Sequence, residues 1–218
     1  MKKSVPFLLA CLVSAWGAQS SASAGVLKDF VAKAAVSRVA FGYTYAMKSS
    51  NGKVQGAGSV VMQGNAFRMK GDGLEMWCDG KTLWTVDRAS REVVISPVDD
   101  SGDGFAANPA LLVVSVDKAF DEVDSATGKF KDSPARVSVL KPKERLDAVP
   151  AETEITQLKL YFAGSGLHLI GVEITVEDGS VTVFDIAGMK FDEKSESADE
   201  FRFDERSLDS SYVVTDLR

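Results

Sequence analysis

LEMWCDGKTLWTVDRASREVVI, residues Leu74 to Ile95, reads as three short strands joined by two turns. Asp79-Gly80 is a tight-turn pair, because glycine accepts a positive φ without steric cost and aspartate tolerates it. Apolar residues crowd both sides of that pair, Met76 and Trp77 before it and Leu83 and Trp84 after it. Asp87 to Arg91 supplies a second, polar turn, and Val93-Val94-Ile95 resumes the sheet. Short apolar runs bounded by turn residues at this spacing predict an antiparallel meander.

The pattern continues on either side. Over Val39 to Lys48, the residues Val39, Phe41, Tyr43, Tyr45 and Met47 alternate with smaller or polar ones, the period of a half-buried strand. Asn51-Gly52 predicts a hairpin turn, Val54 to Gln63 and Ala66 to Lys70 continue the alternation, and Gly71-Asp72-Gly73 interrupts it. Upstream, Leu27, Phe30, Val31 and Ala34 recur at the spacing of one helical face and predict a helix over Val26 to Val36. Downstream, Pro97 to Ala107 is rich in Asp, Gly and Ser and predicts an exposed loop. Asn108-Pro109 then opens an apolar stretch, Ala110 to Val116, that suits a helix with proline in its first turn. Asp121 to Pro134 is polar and carries no assignable period, whereas Val137 to Lys143 predicts a strand. Leu158, Leu160 and Phe162, then Leu167 and Leu169, flank a hairpin at Gly164-Ser165-Gly166. Val172, Ile174 and Val176 lead into a turn at Asp178-Gly179, and Val181, Val183 and Asp185 lead away from it.

Several of these strings, in this order, resemble those of the LolA family, periplasmic carriers of outer-membrane lipoproteins. Asp79-Gly80-Lys81-Thr82-Leu83-Trp84 is similar to the family's "DGktlW" signature, and Asn65 with Phe67 to its "n.F" strand. Asn108-Pro109-Ala110-Leu111-Leu112 resembles its "tPa.lL" helix, VSVLKPK from Val137 to Lys143 its "f.L.Pk" strand, and Phe201 with Phe203 the start of its closing motif. The resemblance spans nearly the whole chain after residue 24. It implies a mainly β (α+β) fold, an unclosed antiparallel β-barrel or half-barrel covered by a short helical lid. The lid would come from the helix at Val26 to Val36 and the segment after Pro109, closing through Leu27, Phe30, Leu111 and Leu112. The chain also departs from the pattern. Typical members carry an Arg-Pro pair just before the "n.F" strand, and that arginine helps hold the lid shut; here the place is taken by Gln63-Gly64. The closing proline turn is replaced by Asp204 to Asp209.

Lys2 and Lys3 precede an apolar run, Val5 to Ala18, that is too short to span a bilayer comfortably, and Ala22-Ser23-Ala24 forms a small-x-small cleavage site. This predicts a signal peptide over residues 1–24 and a single domain over 25–218, delivered to the periplasm. Leu8-Leu9-Ala10-Cys11 loosely resembles a lipobox, but Cys11 comes early and the apolar run continues past it. Residues 1–24 hold two lysines and no acid, so 23 basic residues then face 31 acidic ones, a net charge of −8. An acidic chain without a basic block argues against nucleic acid and against charge-driven binding to anionic membranes. Cys78 is left as a single cysteine, which excludes an intramolecular disulfide and reads as a small buried hydrophobe beside Trp77.

Catalytic chemistry has little footing. His168 stands alone between Leu167 and Leu169, no serine sits in a nucleophile motif, and no His/Cys cluster has metal-ligand spacing. Asp99, Asp100 and Asp103 miss the spacing of a calcium loop, and Glu193 to Glu200 reads as a solvated acidic stretch. The expectation is a non-enzyme without metal or cofactor. What remains is apolar surface. Phe41, Tyr43, Tyr45 and Met47 share one face of the first long strand, and Val60 and Met62, then Phe67 and Met69, extend it across its neighbours. Periodicity alone makes these a core; the resemblance makes the same face a concave lipid site, for which flexible methionines are well suited. It further implies a monomeric carrier of acylated lipoproteins or lipids, loaded by an inner-membrane ATP-driven complex and unloaded by an outer-membrane acceptor. With the Arg-Pro pair missing, a carrier or sensor of another hydrophobic cargo, such as a glycolipid, stays open. The leader predicts cleavage between Ala24 and Gly25 with no lipid on Cys11; the intact mass of the periplasmic protein checks this, and a diacylglyceryl-modified chain starting at Cys11 would overturn it.

Overall fold

The computed structural model describes residues 25–49, 52–98, 113, 116–143, 155–164, 166–194 and 197–218. The predicted leader, the acidic loop with Asp99, Asp100 and Asp103, and the motif containing Leu111 and Leu112 lie outside the described residues. Helix α1 spans Val26–Val36, as its apolar spacing predicts, and buries Val26, Leu27, Phe30 and Ala34 along one stripe. Strands β1 (Arg38–Ser49), β2 (Gly52–Gln63), β3 (Ala66–Gly71), β4 (Leu74–Cys78), β5 (Thr82–Asp87) and β6 (Glu92–Pro97) follow. A short helix α2 (Val116–Ala119) leads into β7 (Phe120–Phe130), β8 (Ser133–Pro142), β9 (Ile155–Ala163), β10 (Leu169–Val176) and β11 (Val181–Asp192). Two 3-10 turns, Ala198–Phe201 and Glu205–Ser207, precede β12 (Val213–Asp216).

The described strands form one sheet in the order β12-β6-β5-β4-β3-β2-β1-β11-β10-β9-β8-β7. It consists of two antiparallel meanders, β1–β6 and β7–β11, joined where β1 pairs with β11. The end strands β12 and β7 do not pair with each other, so the sheet is unclosed. β12 adds to β6 in parallel, the one departure from the antiparallel expectation among the described pairs. The stretch Asp121 to Pro134, which shows no period in sequence, is mostly β7. As an edge strand it is exposed along nearly its whole length, and with both faces polar it leaves no alternation to read.

The sheet is curled. Helix α1 packs against both β2 and β8, which lie five strand steps apart in the sheet order. In a flat sheet that is about 24 Å, whereas an eleven-residue helix is only about 16 Å long. The face that carries α1 is therefore the inner one. Residues directly opposite each other in an antiparallel pair share a face, and the registers place Phe41, Val60 and Met69 in one inward row, with Val39, Met62, Phe67 and Cys78 in the next. A bulge on β11 keeps the far side in step. Between the pairs Ala40–Lys190 and Gly42–Ala187, two β11 residues oppose the single Phe41, and Gly188 takes a φ of 63° there. The inward set thereby changes from Phe184 and Ile186 to Met189 and Phe191. The alternation of Val181 and Val183 belongs to the outer face.

A second core lies on the outer face of β4–β6. Trp84, Val86, Val93 and Ile95 point outward there and are buried with Phe203, and Trp77 packs against them. The C-terminal segment supplies the cover. The Trp84 indole N–H donates to Glu205 at 3.0 Å, and Trp77 and Phe203 stack at 6.0 Å. Arg38 on β1 donates to both carboxylate oxygens of Glu200, at 3.1 and 2.5 Å. Glu200 is thus a tether and not part of a merely solvated acidic run. Beside this core, Glu75 accepts from Arg88 at 2.6 Å and pairs with Lys70 at 3.1 Å. These partners, Arg88 foremost, hold its carboxyl down from the ordinary 4.5 to about 2. The folded state therefore binds fewer protons than the unfolded state between those values, so this stability is complete above about pH 4.5 and is lost as pH falls toward 2. Both cationic partners are half-exposed, so Glu75→Gln is expected to cost about 1 kcal/mol at neutral pH. Urea unfolding across pH should show that deficit vanishing near pH 2.

Candidate functional site

The strongest candidate is the inner face itself. Phe41, Tyr43, Val60, Met62, Phe67 and Met69 are buried in one cluster with α1, and Tyr45 packs against it half-buried. Met47 lies further along the same face of β1, also half-buried. The structure thus brings the predicted face together over β1, β2 and β3. Of the predicted lid, Leu27 and Phe30 lie on α1 and are buried in this cluster; Leu111 and Leu112 fall outside the described residues. The sequence reading missed the other half. Leu158, Leu160 and Phe162 on β9, Val172 and Ile174 on β10, and Phe184 on β11 line the same face. Their alternation is visible in sequence, but that they share a face with Phe41 follows only from the long-range β1–β11 pairing.

Phe30 seats the helix. Its ring lies 5.2 Å from Phe162 and 6.1 Å from Phe191, both edge-on. Burying a side chain of this size is worth about 1.5–3 kcal/mol, and edge-to-face contacts add about 0.5–1.5 kcal/mol. Among the described residues, no α1 side chain makes a hydrogen bond or an ion pair, and the N-cap residue Gly25 provides no side-chain cap. The helix is held to the sheet by apolar contact. At the place of the family's Arg-Pro pair, Gly64 takes a φ of 58° in the turn between β2 and β3, a conformation proline cannot adopt.

The other end of the inner face is floored by aromatic rings. Tyr43, Tyr45 and Phe184 cluster with centroids 5.7 to 6.5 Å apart. The two tyrosines fill the space left by glycines on the neighbouring strands. A Cβ on Gly58 would run into the Tyr43 hydroxyl and the Lys70 carbonyl, and one on Gly56 into Tyr45 and the Asp72 carboxylate. Burial pushes the Tyr43 and Tyr45 phenols up, and the Asp72 carboxylate adds to this through its charge on both and its hydrogen bond with Tyr45. Cys78 is buried on the same face, where burial raises its thiol above the ordinary range, the opposite of an activated nucleophile. His168 sits at the rim, its ring 6.2 Å from Phe191. The described residues contain no grouping of three or more His, Cys, Asp or Glu that could hold a metal, and none of the described helices is long and apolar enough to cross a membrane. The arrangement can shelter an apolar guest if α1 is displaced.

No protein-family profile matches the chain, and no curated protein matches it by sequence. Among solved structures it is similar to an uncharacterized conserved protein from Thermus thermophilus, with a TM-score of 0.52 at 14% identity over 89% of this chain and 99% of that one. It is similar more distantly to a LolA superfamily protein from Nitrosomonas europaea, with a TM-score of 0.41 at 12% identity over 81% and 97% of the two chains. A DUF1329 family protein from Desulfovibrio piger gives 0.45 at 9% identity over 84% and 96%. The open sheet curled round a helix is the architecture that the motifs implied. The fold is an unclosed, curled sheet covered by a helix, shared with the Thermus thermophilus protein. Likeness at such low identity describes the fold.

The Gly58–Tyr43 contact makes the inner face sensitive to a single methyl group. Gly58→Ala should displace the Tyr43 ring and destabilise the protein by about 1–3 kcal/mol. Urea unfolding measures the loss, and the cost of Gly58→Ala should be smaller when measured in a Tyr43→Ala background; an unchanged cost would mean that the clash is with the Lys70 backbone instead.

Proposed function

We propose that this protein is a periplasmic carrier that shields the acyl chains of lipoproteins on its inner face while they pass from the inner to the outer membrane. The observation that carries this reading is the cover: an amphipathic helix closes a continuous apolar face through apolar contacts alone. Each acyl CH₂ removed from water is worth about 0.8 kcal/mol, so a multiply acylated protein needs such a shelter in an aqueous compartment. The contacts of Leu27 and Phe30 with the sheet are the same in kind as those an acyl chain would make, which lets cargo and helix exchange at small free-energy cost. Release needs only a shift between two states of similar free energy. Phe41, Tyr43, Tyr45, Met47, Val60, Met62, Phe67 and Met69 would form one wall, and no bond is made or broken. Leu111 and Leu112 would complete the lid. The predicted leader supports a periplasmic location for the single domain 25–218. An inner-membrane ATP-driven complex and an outer-membrane acceptor are the partners such a carrier needs, and it would work as a monomer.

Gln63-Gly64 in place of the Arg-Pro latch favours a second reading, a carrier or sensor of another acylated cargo such as a glycolipid. Arginine makes charge-assisted hydrogen bonds to carbonyls that glycine cannot, so closure here has a different basis. Both readings expect the amides of α1 to exchange faster than those from Trp77 to Ile95 in the cargo-free protein. Addition of a triacylated lipopeptide should change α1 exchange on the first reading, and a diacyl glycolipid should do so on the second. If α1 is as protected as the meander and neither ligand alters it, the carrier reading fails. Mass spectrometry of lipids extracted from the native periplasmic protein identifies the cargo.

A further inference from the structure

Strand β8 carries two polar groups into the apolar interior. Ser138 is fully buried, and among the described residues its hydroxyl has no hydrogen-bond partner. Two residues away on the same face, the Nε–H of Arg136 is also buried and without a partner among the described residues, while its Nη2 donates to the Gly166 carbonyl. Arg136 lies opposite Phe162 and Ser138 opposite Leu160, both of them residues of the inner core, so both polar side chains start from the face that α1 covers. Desolvating donors without giving them partners is costly, and here two occur at one place in a face that is otherwise apolar.

The edge beside them is polar as well. On β7, Thr127 pairs with Arg136 and Ser125 with Ser138, and Lys129 follows with the same parity. Arg136 and Lys129 put positive charge on this strip, and the bulge at Val123 brings the exposed Glu122 opposite Leu140, onto the same face beyond Ser125. Asp124, the next carboxylate along β7, lies opposite Val139 and so belongs to the other face. The strip therefore offers donors and cationic charge at the open edge of the sheet, directly beside the apolar floor of β9. An amphiphile matches that layout, with its chain over Leu160 and Phe162 and its oxygen at Ser138 and Arg136.

We propose that Arg136 and Ser138 form a polar subsite that accepts the acyl oxygen of a bound amphiphile, either a carboxylate or an ester carbonyl. This rests on the carrier reading and adds to it where the head of the ligand sits. The Arg136 Nε–H and the Ser138 O–H donate to that oxygen, and Lys129 contributes charge at the edge.

The test is displacement of the neutral dye N-phenyl-1-naphthylamine from the mature protein by palmitate, methyl palmitate and hexadecane, three ligands with the same chain length and different heads. Palmitate or methyl palmitate is expected to compete about tenfold better than hexadecane. Preference for palmitate alone identifies a carboxylate as the partner, and equal preference for both identifies the acyl carbonyl. Arg136→Met should abolish the advantage without weakening hexadecane, and Arg136→Lys should restore part of it for palmitate. Ser138→Ala, which only removes an unpartnered hydroxyl and so leaves the fold intact, should reduce the advantage about threefold, and it decides the matter if Arg136→Met does not fold. An advantage that survives both Arg136→Met and Ser138→Ala, or none in the wild-type protein, overturns the subsite while hexadecane binding leaves the carrier reading standing. Failure of the dye and all three ligands to bind overturns both.

Discussion

The open sheet of twelve described strands presents an apolar face that none of them can cover, and Phe30 is the side chain on which its closure turns. It reaches Phe162 on β9 and Phe191 on β11 from a single position on α1. The curl of the sheet, the bulge at Gly188 and the seating of the helix all meet at that ring. Without the bulge the period of two would turn Phe191 outward, and Phe30 would lose one of its two walls. The geometry of the inner face is thus set by a parity change on β11 as much as by the composition of α1.

The two covers of the sheet are built on different physics. On the inner face, α1 is held by contacts that have no preferred direction. On the outer face, the C-terminal segment is fixed by the Arg38–Glu200 pair, the Trp84–Glu205 hydrogen bond and a parallel strand added to β6. Arg68 and Lys70 lie over the Trp77 ring on the same side, at 5.0 and 5.6 Å, and stiffen it further. Directional bonds select one arrangement, whereas apolar contact tolerates a substitute of similar shape. A protein that must exchange one cover while retaining the other would be built with this division.

Much of the fold could be read in the chain because its strands announce themselves through turns. Gly80 and Gly179 adopt the positive φ that Asp79-Gly80 and Asp178-Gly179 predict, and α1 begins and ends where its apolar spacing does. Local rules could not reach three things. Strand β7 has water on most of its surface, so it shows no alternation. The outer core is hidden because Trp77 and Trp84 sit in strands buried on both faces, and the residues that cover them lie more than a hundred positions away. The inner face was legible as a face on β1 to β3, yet its second wall depends on a pairing between opposite ends of the chain. The polar pair Arg136 and Ser138 gave no signal, because a serine and an arginine in a strand ordinarily look outward to solvent.

The join between β1 and β11 also orders events in time. β1 is one of the first strands to be synthesised, and one of its edges stays unpaired until one of the last is made. The tether from Arg38 to Glu200 spans 162 residues, and Trp84 waits for Glu205. Closing loops of that length must precede the contacts that reward it, which makes such topologies slow to fold. A growing or threading chain can assemble the β1–β6 meander locally but can complete neither of its covers. The topology thus acts as its own delay, withholding the native state until the segment from Glu200 to β12 is in place.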